Sequence, residues 1–175
     1  MDIKKQRYLE KLRHSSAHLL AAAVLDMYPK AKLAIGPAIE NGFYYDIDFG
    51  ESKISIDDLP KIEGKMHELV NRWTSFKKTK VTKAEAIKQF KGNEYKKELI
   101  EEFSKDKKDL YTYKSGEFVD LCRGGHIENP TKELKHFKLL SVAGAYWRGD
   151  EKNKMLTRIY GTAFKNKVDL EKYLS

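Results

Sequence analysis

Residues Leu9–Met27 read LEKLRHSSAHLLAAAVLDM, and no other stretch restricts the fold as much. Leu12, Leu19, Leu20, Ala23, Val24 and Met27 recur at three- and four-residue spacing, and Pro29 closes the run, so the segment is a mostly buried helix. Ala21, Ala22 and Ala23 carry so little side chain that a sheet can pack closely against them. His14 and His18 stand four residues apart, so both imidazoles project from one face.

That helix needs a sheet, and the following residues supply one. Lys32–Ile39 and Phe43–Phe49 flank Glu40-Asn41-Gly42, and Asn-Gly between strand-forming runs is the strongest short-range hairpin signal. Gly36-Pro37 inside the first strand predicts a bulge or an edge. Leu110–Lys114 and Glu117–Cys122 around Ser115-Gly116 form a second hairpin, while His136–Val142, Gly144–Asp150 and Met155–Phe164 predict three more strands.

Helical signals lie mainly between the hairpins. Ile62, Met66, Leu69, Val70 and Trp73 form one stripe over about 57–73, and His67 falls off it, as a solvated residue. Phe76–Val81 is strand-like, Thr82-Lys-Ala-Glu85 is a capping box opening a helix to Phe90, and Glu94–Phe103 is helical again. A last helix begins at Val168. The expected fold class is α+β: an antiparallel sheet packed on the buried His-bearing helix, with further amphipathic helices. Residues 1–175 are expected to form one domain of two lobes, with about 55–105 a mixed insert.

Composition narrows the function classes. The net charge of +8 draws polyanions, nucleic acid first, although lysines also merely keep small proteins soluble. Cys122 is the only cysteine, so an internal disulfide is excluded and a cytoplasmic setting is the default. No window approaches a membrane span, and no apolar leader follows the first residues.

Asp120-Leu-Cys-Arg-Gly-Gly-His126 packs a carboxylate, the thiol, a glycine pair and an imidazole into seven residues. Taken singly, His14 and His18 suit hydrogen-bonded structural roles, Cys122 a small core position, and Asp120 and Lys96 the surface. Together, His14, His18, Cys122 and His126 offer three imidazoles and a thiol, a donor set for tetrahedral zinc or for positioning a hydrolytic water. Beside such a site Asp120 would orient water and Lys96 would stabilise an oxyanion. Ser15 stands where a metalloprotease helix carries its glutamate, so peptide hydrolysis of that kind is unsupported.

The pairs His14-x3-His18 and Cys122-x3-His126, with Gly42-Phe-Tyr-Tyr-Asp46 and Gly144-Ala-Tyr-Trp-Arg-Gly-Asp150 through Phe164, closely resemble the editing domain of threonyl-tRNA synthetase. Alanyl-tRNA synthetase editing domains share the His and Cys/His pairs more distantly. The resemblance implies deacylation of mischarged Ser-tRNA(Thr). It implies His14, His18, Lys96, Asp120, Cys122 and His126 as catalytic or pocket residues, and Tyr45 and Arg123 as substrate contacts. It also implies either a metal-free site, as in threonyl domains, or a zinc ion on His14, His18, Cys122 and His126, as in alanyl ones. The partners implied are the acceptor end of tRNA(Thr) and the rest of a synthetase. With no ATP site, class II core or anticodon-binding domain expected within residues 1–175, an excised or freestanding editing domain is the reading. Rival readings are alanyl-type editing, a noncatalytic tRNA-binding module and a structural zinc module. Arg148, Lys152, Lys154 and Arg158 are the expected contacts to the acceptor end. Gly125 replaces the family's usual proline, which predicts a looser loop.

Overall fold

The computed structural model describes residues 2–175. Helix α1 spans Ile3–Met27, starting six residues ahead of the apolar periodicity, because Asp2 caps it by accepting the Lys4 amide at 2.9 Å. Those first turns are exposed, so hydrophobic spacing could not mark them. Farther on the helix is sealed: Ala17, Leu19, Leu20, Ala21, Ala23 and Val24 are all 0% exposed. Each buried leucine contributes about 2 kcal/mol, so this segment alone anchors the main core.

That core lies between α1, helix α2 (Leu59–Val70) and an antiparallel sheet of β1 (Lys32–Leu33), β2 (Ala38–Ile39), β3 (Gly42–Asp48), β7 (His136–Tyr146) and β8 (Met155–Phe164). The sheet order is β1-β3-β8-β7, with β2 also on β3. The first expected strand is thus two short ones interrupted at 34–37. The chain stays bonded to β3 across the gap, the Ala34 amide donating to the Asp46 carbonyl at 2.9 Å and the Asp46 amide to the Ile35 carbonyl at 2.7 Å, which is the expected bulge, and Gly36 lies where a Cβ would overlap the Tyr45 ring. Glu40 and Asn41 form the hairpin turn, with Asn41 at φ 59°. Gly42 is already the first strand residue, lying where a Cβ would strike the Gly161 carbonyl on β8.

The expectation of separate strands at His136–Val142 and Gly144–Asp150 is corrected to one strand, β7. Gly144 stays in the ladder opposite Thr157 and leaves room for the Met155 side chain, so the glycine does not end the strand. The chain turns instead at Trp147–Gly149, where Arg148 takes φ 57°.

A second sheet, ordered β4-β5-β6, comprises Lys77–Val81, Leu110–Ser115 and Phe118–Leu121. Helices α3 (Lys83–Gln89) and α4 (Glu94–Lys105) cover it through Ala86, Ile100, Leu110 and Leu121. The Thr82 capping box is formed, with Glu85 Oε1 accepting the Thr82 amide at 2.9 Å. A short α5 (Pro130–Glu133) precedes β7, and α6 (Lys167–Leu174) follows β8.

Candidate functional site

Two elements place the cluster. Helix α1 holds His14 above His18, and the chain leaves β6 at Leu121 into the Cys122–His126 loop facing them. Ser15 fastens loop to helix, because its hydroxyl accepts the Ile127 amide at 3.0 Å. Ser15 was absent from the residues expected at the site, and nothing in its local sequence distinguishes it.

The four expected donors meet. Ligand atoms of His14, His18, Cys122 and His126 all lie within 4.8 Å of one another. His18 Nε2 is 3.2 Å from His14 Nε2, and Cys122 Sγ is 3.6 Å from His126 Nε2. His126 is stacked between His14 at 4.6 Å and Phe76 at 4.3 Å, with Tyr113 tilted beside it at 4.5 Å. These aromatic walls, on or beside the second sheet, carry no sequence mark separating them from core residues.

The outer nitrogens decide the tautomers. His14 Nδ1 lies 3.1 Å from the Gly125 carbonyl, which only accepts, and His18 Nδ1 lies 3.4 Å from the Asp120 carboxylate. With both Nδ1 protonated, the two Nε2 lone pairs converge on one spot. Burial holds His14 below the ordinary imidazole range and His18 well below it. For His126 burial, reinforced by His18 and His14, lowers the value to about 2. The cluster is therefore neutral and basic in the Lewis sense. Burial, with Asp120 adding to it, pushes the Cys122 thiol up to about 12.

Behind His18 stands a buried polar chain. Lys96 and Asp120 are each 2% exposed, which overturns the default of surface residues. Lys96 Nζ is 2.7 Å from Asp120 Oδ1 and donates to the Tyr45 hydroxyl at 3.0 Å, while Tyr45 donates to Asp120 Oδ2 at 2.6 Å. Sequence proximity could not show this, since the three residues come from α4, β6 and β3. Asn93 positions Lys96 by accepting the Tyr95 and Lys96 amides at 3.0 and 3.1 Å while donating to the Leu33 carbonyl at 2.8 Å. Arg123 is not drawn into this network. Its guanidinium lies 4.3 Å above the Phe103 ring and 4.0 Å from Asp106.

Gly124 and Gly125 adopt φ 101° and 89°. Proline is locked near −65°, so the loop as it runs here excludes the family's proline at position 125. The glycine therefore sets the direction of the carbonyl that meets His14.

The donor chemistry fits a small divalent cation. Three neutral imidazoles and a thiol suit zinc, two Nε2 lone pairs face each other, and buried His126 Nδ1 has no hydrogen-bond partner among the described residues. Tetrahedral zinc bonds of about 2.0–2.3 Å put ligand atoms roughly 3.5 Å apart, close to the two shortest separations. The outer contacts from His14 and His18 are those that orient metal-bound imidazoles.

Fold and site together define an α+β domain whose buried Cys/His cluster is backed by a Lys-Asp-Tyr network. Residues 110–160 match the family model described as Threonyl and Alanyl tRNA synthetase second additional domain. The chain is 53% identical over 167 residues to a threonine–tRNA ligase of Thermotoga petrophila, covering 94% of this chain and 26% of that protein. It is 52% identical over 173 residues to one of Borrelia turicatae, covering 98% and 29%. A Borreliella burgdorferi threonine–tRNA ligase is 49% identical over 175 residues, covering 99% and 30%. Residues 110–160 belong to the threonyl and alanyl tRNA synthetase second additional domain family, and the resemblance of the chain to the threonyl kind is borne out by these identities. It spans between about a quarter and a third of the length of these curated relatives.

Of the basic residues expected to meet an acceptor end, three form ion pairs within the chain. Arg148 pairs with Glu102 at 2.7 Å, Lys154 with Asp48 at 2.9 Å, and Arg158 with Asp46 at 2.7 Å. Lys152 remains exposed. No helix is long and apolar enough to cross a membrane among the described residues.

Proposed function

We propose that this chain deacylates Ser-tRNA(Thr), within or apart from a threonyl-tRNA synthetase. The observation that carries the reading is the convergence of neutral imidazole lone pairs on one spot beside a groove, backed by a buried ammonium. A synthetic site cannot strongly reject serine for lacking one methyl, a difference worth about 1–3 kcal/mol, so a second, hydrolytic site is required.

In this reading a water held between His14 Nε2 and His18 Nε2 attacks the seryl ester carbonyl. His18 takes the proton, and Asp120, 3.4 Å from its Nδ1, stabilises the resulting imidazolium. Lys96 has three N–H groups, of which Asp120 and Tyr45 occupy two, and the third serves the developing oxyanion. Cys122, His126 and Arg123 shape and rim the pocket, with Tyr45 holding Asp120 from behind. The ester is already activated, so positioning and electrostatics suffice.

A metal is not required by this scheme. If bound by His14, His18, Cys122 and His126, zinc would supply Lewis acidity at the same spot.

Single-turnover deacylation of Ser-tRNA(Thr), with Thr-tRNA(Thr) and Ser-tRNA(Ala) as comparators and with and without chelator, tests the proposal. Release of serine from Ser-tRNA(Thr), with Thr-tRNA(Thr) spared, is expected. Preference for Ser-tRNA(Ala) would move the assignment to alanyl-type editing, and binding without release would leave a tRNA-binding module.

A further inference from the structure

Helix α4 packs into two cores. Ile100 lies with Ala86, Leu110 and Leu121 against the second sheet, Tyr95 lies with Ala34, Trp147 and Leu156 beside the main sheet, and Leu99 touches both groups. Lys96 has partners on both sheets as well, Tyr45 on β3 and Asp120 on β6. The place of its ammonium is therefore set by how α4 is held against each sheet. On the second sheet the hold is apolar and buried. On the main sheet it is largely polar: Tyr95 donates its hydroxyl to Asp48 Oδ2 at 2.7 Å, and one turn on, Glu98 Oε2 accepts the Trp147 Nε1–H at 2.8 Å. Arg148 completes the tie, with Nε 3.3 Å from Glu98 Oε1 and Nη2 donating to Glu102 Oε2 at 2.7 Å.

Stability does not account for this arrangement. Arg148 takes φ 57°, a left-handed conformation that costs free energy in any residue with a Cβ. Its ion pairs return little, because the side chains of Arg148, Glu98 and Glu102 are 38%, 52% and 46% exposed, and water screens charges placed there. What the strained turn does achieve is direction. It lays the guanidinium 5.0 Å from the Trp147 ring centre and aims it at two carboxylates one turn apart on α4.

We propose that Trp147 and Arg148 are positioning residues: by gripping Glu98 and Glu102 they fix α4 against the main sheet and so hold Lys96 Nζ on Tyr45 as well as on Asp120. Without the grip, Ile100 and Leu99 keep α4 on the second sheet, so Lys96 stays with Asp120 and recedes from Tyr45. The inference rests on the deacylase reading for what Lys96 does, and on contacts alone for what holds it. It gives Arg148 a role inside the chain in place of a contact to RNA.

Three variants of the 175-residue chain test the grip. Glu98→Ala removes both acceptor atoms, Glu98→Gln keeps an acceptor for Trp147 while removing the charge, and Arg148→Asn installs a residue that takes left-handed backbone readily. All three alter exposed groups, so Tm should stay within about 2 °C of the wild type. In single-turnover deacylation of Ser-tRNA(Thr), Glu98→Ala and Arg148→Asn should lower the saturating rate constant about tenfold or more, with the half-saturating concentration within about twofold. Glu98→Gln should recover most of the loss. Independently of hydrolysis, reductive methylation of Lys96, read by mass spectrometry, should run at least about tenfold faster in Glu98→Ala and Arg148→Asn than in the wild type, with Lys77 and Lys78 unchanged. A raised half-saturating concentration with an unchanged rate constant would make Arg148 an RNA contact and overturn the proposal, as would wild-type labelling of Lys96 in both variants. Faster Lys96 labelling in a chain inactive on Ser-tRNA(Thr) would support the grip while removing the deacylase reading.

Discussion

Lys96 and Asp120, 24 positions apart in the chain, form an ion pair of 2.7 Å in which each side chain is 2% exposed. Two charges are carried into the interior together, and neither is tolerable there alone. Lys96→Ala should therefore cost about 3–5 kcal/mol in urea unfolding, since it strands a buried carboxylate. Lys96→Met with Asp120→Asn should recover part of that stability without restoring activity. A loss below about 1 kcal/mol for Lys96→Ala would show that the pair is not sealed from water.

The buried imidazoles set a pH dependence of definite sign. The folded values for His14, His18 and His126 lie below the ordinary one near 6.5, so the unfolded chain binds more protons in acid. Stability is retained above about pH 6.5 and should fall as the pH drops through that value, by about 1.4 kcal/mol per pH unit from His126 alone. Urea midpoints between pH 7.5 and 5 check this. His126→Phe should shallow the slope, and a slope unchanged by it would contradict the buried neutral assignment.

Cys122 should behave as an inert thiol. A value near 12 leaves almost no thiolate at pH 8, so alkylation by iodoacetamide should run at least about tenfold slower than for an exposed cysteine. The rate should rise to the exposed value in urea. Fast labelling of the folded chain would require a thiolate that burial forbids.

Added zinc offers a separate readout of the donor set. If the four side chains bind it, Tm should rise with zinc concentration and cobalt should give a tetrahedral thiolate spectrum. Cys122→Ala should remove the cobalt signature. A flat response in both would assign the site to metal-free chemistry.

Gly125→Pro would restore the family's residue at a position whose φ is 89° here. The ring cannot follow, so the loop must move, at a cost of about 1–3 kcal/mol, and the carbonyl 3.1 Å from His14 moves with it. Deacylation should fall with it. A wild-type rate would show that the loop reaches a working arrangement by another path.

Much of this was legible along the chain. The α1 periodicity, the Thr82 capping box, both hairpins and the Cys/His pairs all rest on contacts within a few residues, where spacing alone dictates geometry. The division of β1 from β2 and the continuity of β7 were not. Both depend on partners across the sheet: Ala34 and Ile35 share Asp46 on β3, and Met155 fills the space beside Gly144. The carboxylates that pair with Arg148, Lys154 and Arg158 were not legible either, because Glu102, Asp48 and Asp46 lie far from them in the chain.

Residue type and short-range spacing determined by themselves that a buried helix would carry two imidazoles on one face, and that a glycine-bearing loop would carry a thiol and a third. Only the tertiary structure decided that Lys96 and Asp120 lie inside rather than at the surface, and that the two histidine lone pairs meet. Desolvation and pairing of charge depend on distance through space, and chain folding brings α4, β6 and β3 to one point that no local pattern encodes.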